Sequence, residues 1–383
     1  MAAAMIGSAT LTSCFKDEPL NAECDIEQAY IHVDDPLEMF FQKSDTLISV
    51  LSTAEDINFV VRKSTDLTSL APQFRLTPGA TIYPDNGSEQ DFSNGPIEYT
   101  VTSEDKQYRR TYRINFMSSK DIMEYNFDHF FLNQTPAPAN KYYVWSDIDS
   151  AGNLLNNWGN GNPGFRFAKG SATPEEYPTV PANEQGHETC VKLTTSDTGD
   201  FGRKMKMPIA AGNLFLGEFD VSKALVANSA GVKGVLATRF GVPVSSQPIS
   251  FSGFYKYKRG NVFTDKNGAE QNKQDFGSIY AVFYDNHDAE GKPFILHGDD
   301  VLSSDQIISI ANLGKIDETP EWTAFNINFT IQPGKAIDPV KLANRGYNLA
   351  IVSSSSIDGA IFEGAIGSTL WIDNYSIKCA NAE

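Results

Sequence analysis

Basic clusters, histidine and cysteine are scarce in this chain of 383 residues, and each scarcity closes off a class of chemistry. Lysine and arginine number 31 against 48 aspartates and glutamates, a formal charge of -17, and the basic residues do not gather into runs. Nucleic-acid binding rests on Lys and Arg neutralising phosphates, so this distribution argues against it. Acidity spread along a chain favours solubility instead. The four cysteines, Cys14, Cys24, Cys190 and Cys379, are too few and too scattered for a thiolate metal cluster. An exported compartment would permit a Cys190–Cys379 disulfide, with buried thiols the preferred reading. His187, His287 and His297 stand in turn-like contexts, and the sequence holds neither an HExxH pair nor a nucleophile elbow. Beyond the N-terminus no apolar run approaches the ~20 residues of a membrane helix.

The first fourteen residues carry the strongest local signal. Leu11-Thr12-Ser13-Cys14 places small and apolar residues ahead of an early cysteine, the pattern that a bacterial lipoprotein peptidase cuts and acylates. Ala2, Ala3, Ala4, Met5 and Ile6 read as the tail of an apolar targeting segment, although no Lys or Arg precedes it. Lys16-Asp17-Glu18 resembles the acidic export signal of Bacteroidetes surface lipoproteins. That resemblance implies a mature protein starting at a lipidated Cys14, anchored in the outer membrane and exposed at the cell surface.

The periodicity is of the strand type almost throughout. Phe325, Ile327, Phe329 and Ile331 alternate with Asn326, Asn328 and Thr330, as a half-buried antiparallel strand requires. Turn signals recur at short intervals, at Pro84-Asp85-Asn86-Gly87, Asn94-Gly95-Pro96, Asn267-Gly268 and Pro333-Gly334, a rhythm that predicts sandwiches or barrels. The chain is all-β on this reading, with 25 Phe and 15 Tyr to fill its cores. Its length suits two domains. After a signal and tether over residues 1–21, strand candidates at 26–33, 47–51, 58–61, 80–83, 97–102 and 110–116 predict an immunoglobulin-like sandwich over 22–117. Residues 118–383 form the second domain.

Particular runs carry family resemblances. Residues 70–80 (LAPQFRLTPGA), 90–93 (QDFS) and 99–105 (YTVTSED) resemble the cadherin-like or immunoglobulin-like N-terminal modules of Bacteroidetes surface lipoproteins, which implies a spacer. Tyr125-Asn126-Phe127-Asp128 and the closing run 369–377 (TLWIDNYSI) resemble the first and last strands of jelly-roll carbohydrate-binding modules. Residues 211–217 (AGNLFLG), 251–260 (FSGFYKYKRG), 352–356 (VSSSS) and 364–370 (GAIGSTL) resemble, in order and spacing, the family called putative carbohydrate metabolism domain. This implies a β-jelly-roll sandwich and a role with glycans, and it carries no catalytic residues.

Sugar rings pack their C–H faces on aromatic side chains and their hydroxyls on carboxylates, amides and guanidinium groups. Tyr142, Tyr143, Trp145 and Trp158 fall in an Asn- and Gly-rich stretch, 140–164, that reads as a binding loop; the alternative is that Trp145 and Trp158 cover a core edge. Alternation in 251–258 sends Phe251, Tyr255 and Tyr257 to one face and Phe254, Lys256 and Lys258 to the other, where Lys256 either contacts a glycan or is simply solvated. Trp371 shares a face with Asp373 and is a ligand contact or a core residue. By resemblance to jelly-roll modules, Asp128 and Asp373 would suit a structural Ca2+. The acid pairs Glu218 and Asp220, Asp285 and Asp288, and Asp299 and Asp300 offer no ranked glycosidase couple. The expected function is surface glycan binding at Trp145, Trp158, Lys256 and Trp371. The rivals are a glycoside hydrolase or lyase in the same groove, marked by two facing acids with one raised pKa, and a protein-binding adhesin.

Overall fold

The computed structural model describes residues 20–40, 43–62, 65–117, 123–134, 141–148, 152, 154–226 and 234–380. Cys14 lies outside these residues. The fold is all-β, an immunoglobulin-like sandwich followed by a jelly roll. In the first sandwich, one sheet orders Leu47–Ser49, Ile26–Tyr30 and Gln73–Leu76, and the other Asp56–Val60, Arg109–Met117, Ile97–Thr102 and Thr81–Tyr83. Asp56–Val60 and Arg109–Met117 pair in parallel. The inward residues of both sheets meet around Phe59, Phe74, Tyr99, Tyr112 and Phe116, all buried. Gln73–Leu76, inside a run that suggested a module by resemblance only, is a core strand through Phe74.

The second sandwich pairs a ten-stranded sheet with a six-stranded one. Its closing strand, Thr369–Cys379, pairs with Glu124–Tyr125 in the register Tyr375 to Tyr125, so the first and last strands of the domain close the sandwich together, as their sequences suggest. The same strand lies between His187–Thr194 and Pro248–Lys258. Between the sheets sits one large core in which Phe251, Tyr257, Phe325, Leu370, Ile372 and Tyr375 face Leu214, Leu216, Ile279, Phe283 and Ile351. The alternation read in 251–258 holds for Phe251 and Tyr257 inside and Phe254 and Lys258 outside.

Gly277–Asp285 departs from simple alternation, with eight successive residues buried. Such a strand is covered on both faces. Its outward Tyr280, Val282 and Tyr284 join Phe215 and Val352 of neighbouring strands in a second apolar cluster, which Phe294, Leu296 and Val301 cover. The jelly roll therefore has a third layer over the middle of its ten-stranded sheet, and the candidate site lies there.

Candidate functional site

Three adjacent strands, Asn213–Phe219, Tyr347–Ser354 and Gly277–Asp285, build the floor. Their inward residues enter the core, and their outward residues align across the strands in two rows. Asn213 pairs with Ser354, which pairs with Ser278; Phe215 pairs with Val352, which pairs with Tyr280. The short helices Asn162–Ala168 and Gly199–Lys204, the Met205 and Met207 side chains, and the Gly359–Ile361 turn stand around this floor. They enclose a pocket of about 430 Å3, a size in the range of small-molecule sites. Aromatic rings of Phe165, Phe167, Phe201, Phe219, Phe240 and Phe362 contribute to its walls. Phe167 and Phe201 are 38% and 55% exposed, so the rim is apolar as well.

Among the described residues lining this pocket, none is Asp, Glu, His, Lys or Arg. Most of the polar side chains there are already occupied. Asn213 accepts from the Gly161 amide at 2.9 Å and donates to the Ala211 carbonyl at 2.9 Å. The Thr198 hydroxyl donates to the Met207 carbonyl at 2.5 Å, and Thr238 to Val235 at 2.8 Å. Ser354 donates to the Ser356 carbonyl, and Ser356 donates to Asp275, a buried carboxylate that also accepts from the Ala365 amide and Ser368. Burial pushes Asp275 upward, and these donors hold it back. The hydroxyls of Ser278 and Tyr280, two residues apart on one strand, make no such bond among the described residues. Desolvation raises the Tyr280 hydroxyl far above its ordinary range, so it stays protonated as a donor.

Trp145 and Trp158 are not in this pocket, and they are not on a loop. They lie opposite each other on the paired strands Tyr143–Ile148 and Leu154–Gly159, 1% and 6% exposed in the main core. Trp158 packs edge-on against Tyr125 and Phe127. This corrects the binding-loop reading: both rings are consumed by packing, out of reach of a glycan at the surface. The Trp158 indole donates to Asp147 at 3.0 Å, while the second Asp147 oxygen is buried without a partner. Burial pushes the Asp147 carboxyl up to about 7.

Lys256, Trp371 and Asp373 come together on the outer face of the opposite sheet. Lys256 stands beside Trp371 in register, its ammonium 5.3 Å from the indole centroid and 2.7 Å from Glu184. Lys256 is thus already paired, and only 12% of its side chain is exposed. His187, at the tip of the hairpin formed by Thr179–Glu184 and His187–Thr194, hydrogen-bonds Asp373 and stacks on Trp322 at 4.0 Å. The Trp322 indole donates to the Glu184 carbonyl at 2.9 Å. The face carries a clasp that the separate residues did not announce, since neither His187 nor Trp322 neighbours Asp373 in sequence.

Asp128 lies close enough to Asp373 to raise its pKa slightly, but burial is the larger cause, and the Asp373 oxygens are engaged by His187 and Asn374. Among the described residues no three His, Cys, Asp or Glu side chains gather as metal ligands. The Ca2+ reading of Asp128 and Asp373 finds no third acid to complete it.

The other acids serve turns and ion pairs. Asp220 caps the Ser222 amide, Asp285 pairs with Lys341 at 2.5 Å, Asp288 accepts from two turn amides, and Asp300 accepts from the His297 amide. Among the described residues Cys24, Cys190 and Cys379 form no disulfide; burial pushes Cys190 up to about 12, which leaves it unreactive. The pocket floor was legible only in part. The unbroken apolar run of Ile279, Tyr280, Ala281, Val282, Phe283 and Tyr284 signals a strand covered twice, but not which residue faces a cavity.

Comparison with known proteins follows this architecture. The model of a family described as SGBP, N-terminal, matches residues 39–115. A crystal structure of a putative glycoside hydrolase from Bacteroides thetaiotaomicron is 35% identical with a TM-score of 0.81, covering 96% of this chain and 100% of its own. A second, of a putative glycoside hydrolase from Bacteroides vulgatus, is 36% identical with a TM-score of 0.60, covering 69% of this chain and 100% of its own. No curated protein matches the chain. The family model of the putative carbohydrate metabolism domain matches residues 126–378, which hold the whole ten-stranded sheet, the six-stranded sheet apart from Glu124–Tyr125 and Cys379, and every residue of the pocket, and the chain belongs to that family.

Proposed function

We propose that this protein binds an uncharged glycan in the pocket over the ten-stranded sheet and does not cleave it. The observation that carries the reading is the pocket's lining: aromatic walls on a rigid sheet floor, with no Asp, Glu, His, Lys or Arg side chain among the described residues. Aromatic faces suit sugar C–H surfaces. Glycoside hydrolysis in most families needs two carboxyl groups flanking the scissile bond, about 5 to 9.5 Å apart, and such a pair finds no place in this lining. Membership of a carbohydrate-related family supports the ligand class. In this proposal Cys14 carries the lipid, the outer membrane holds the anchor, and the immunoglobulin-like sandwich is a spacer that presents the jelly roll at the cell surface.

A glycan array with the full chain carrying Cys14→Ser, followed by product analysis on each hit, tests this. Ala360 is exposed where the Gly359–Ile361 turn meets the pocket mouth, so Ala360→Trp narrows the entrance without disturbing the core. Binding that Ala360→Trp removes, with the ligand recovered intact, is the expected result. Cleaved product would make the protein a hydrolase, and silence across a broad array would refute glycan binding.

A further inference from the structure

The pocket is better fitted to an apolar substituent on a glycan than to the sugar ring itself. A buried hexose has to find a partner for each hydroxyl, because a polar group desolvated without a hydrogen bond is costly. Here Thr198, Thr238, Ser354 and Ser356 donate their hydroxyl hydrogens, and Asn213 one of its two amide hydrogens, to partners within the protein. Only Ser278 and Tyr280 offer uncommitted side-chain hydroxyls among the described residues, and they sit together on one strand at the floor. Everything else is aromatic, aliphatic or thioether, including Met205 and Met207, whose polarisable sulfur suits ring edges.

We propose that the pocket receives an uncharged aryl ester group carried on the glycan, with its ring among the phenylalanines and one oxygen hydrogen-bonded by Tyr280 and Ser278. This rests on the pocket being the glycan site and narrows what it recognises. Three features favour an aromatic group over a short acyl chain. The walls are mainly phenyl rings, which pack on other rings edge-on or offset. The apolar rim at Phe167 and Phe201 would cover the ring's outer edge. The polar groups are gathered at one point rather than distributed around a ring of hydroxyls. The described residues of the lining carry no charge, which disfavours a free carboxylate and favours the ester over the acid.

Methyl ferulate is the probe, measured by calorimetry and saturation-transfer NMR against the full chain with Cys14→Ser. Ferulate is the charged control, and the hits of the glycan array are the sugar controls. Methyl ferulate should bind at least tenfold more tightly than ferulate or any unsubstituted saccharide. Tyr280→Phe should weaken it about three- to tenfold, the loss expected for one hydrogen bond. Ala360→Trp should abolish binding with an unchanged circular dichroism spectrum. Failure of methyl ferulate to bind overturns the inference. If unsubstituted saccharides then bind and Ala360→Trp removes them, glycan binding in the pocket survives and only its narrowing to aryl esters falls. If nothing binds in the pocket, both fall together.

Discussion

Asp147 is the residue whose environment most strains ordinary chemistry. It sits 9% exposed beside Trp158, with one oxygen bonded to the indole and the other buried and unpaired. An ionised carboxylate there would lose its water, and the Trp158 and Asn157 side chains make up only part of that loss, so burial raises it to about 7. The unfolded carboxyl titrates near 3.9. Between about pH 4 and pH 7 the unfolded chain therefore gives up a proton that the folded chain keeps, and this group's contribution to stability falls as pH rises through that window. The loss is on the order of 3 to 4 kcal/mol across it. Asp147→Asn retains an acceptor for Trp158 and removes the titration. Its urea midpoint should gain on the wild type between pH 4.5 and pH 8; parallel pH profiles would show that Asp147 is ionised in the native state. Asp147 also explains why the sequence misled. The pairing of this strand shifts register between Trp145 and Asp147, and a carboxylate at a buried position breaks the apolar alternation. Asn156 and Asn157 dilute the pattern further, so a strand pair reads as a polar loop with two tryptophans on it.

At the scale of elements, the hairpin of Thr179–Glu184 and His187–Thr194 shows how a two-residue turn can organise a sheet face. Gln185 and Gly186 both have positive φ, 47° and 90°, as a turn matching the twist of its strands requires. The turn projects His187 across the closing strand onto Asp373, Phe254 and Trp322. Trp322 is on the edge strand Thr319–Asn328, where Pro320 is tolerated because the outer side of an edge strand needs no ladder donor. Trp322→Ala removes the stacking surface and the bond to Glu184. It should cost about 1 to 2 kcal/mol and speed amide exchange at residues 185–187. Ligand binding in the pocket should be unchanged, since the pocket is on the other sheet; a parallel loss of binding would mean that the two sheets move together. The fold class and the turns could be read from period two and Gly, Asn and Pro positions, and the closing strand from its resemblance to jelly-roll modules. The clasp could not, because it joins residues 187, 322 and 373, and a single sequence records no such meeting.

At the scale of the molecule, the two sandwiches have separate cores, and their junction abuts the strand that floors the pocket. Asn156 donates to Asp56 at 2.6 Å and Arg62 to Asn344 at 3.0 Å, joining the first domain to the second. A cavity of about 430 Å3 between them is lined by Ile48, Val50 and Ile57 on one side and Leu155, Leu216 and Val242 on the other. Within Asn213–Phe219, Leu216 and Glu218 face that cavity while Phe215 and Phe219 face the pocket. The two sites thus share a strand. That strand is fixed by its own ladder, from Phe215 to Val352 on one side and to Gly159 on the other, and these bonds do not depend on the first domain. A fragment of residues 123–383 should therefore keep its pocket. It should bind the pocket's ligand within about threefold of the full chain, while melting at a lower temperature because Leu155 and Val242 are newly exposed to water. A tenfold loss of affinity in a fragment that still folds would carry a different meaning. The first domain would then brace the site from behind through the shared strand, and its role would be support of binding rather than reach from the membrane.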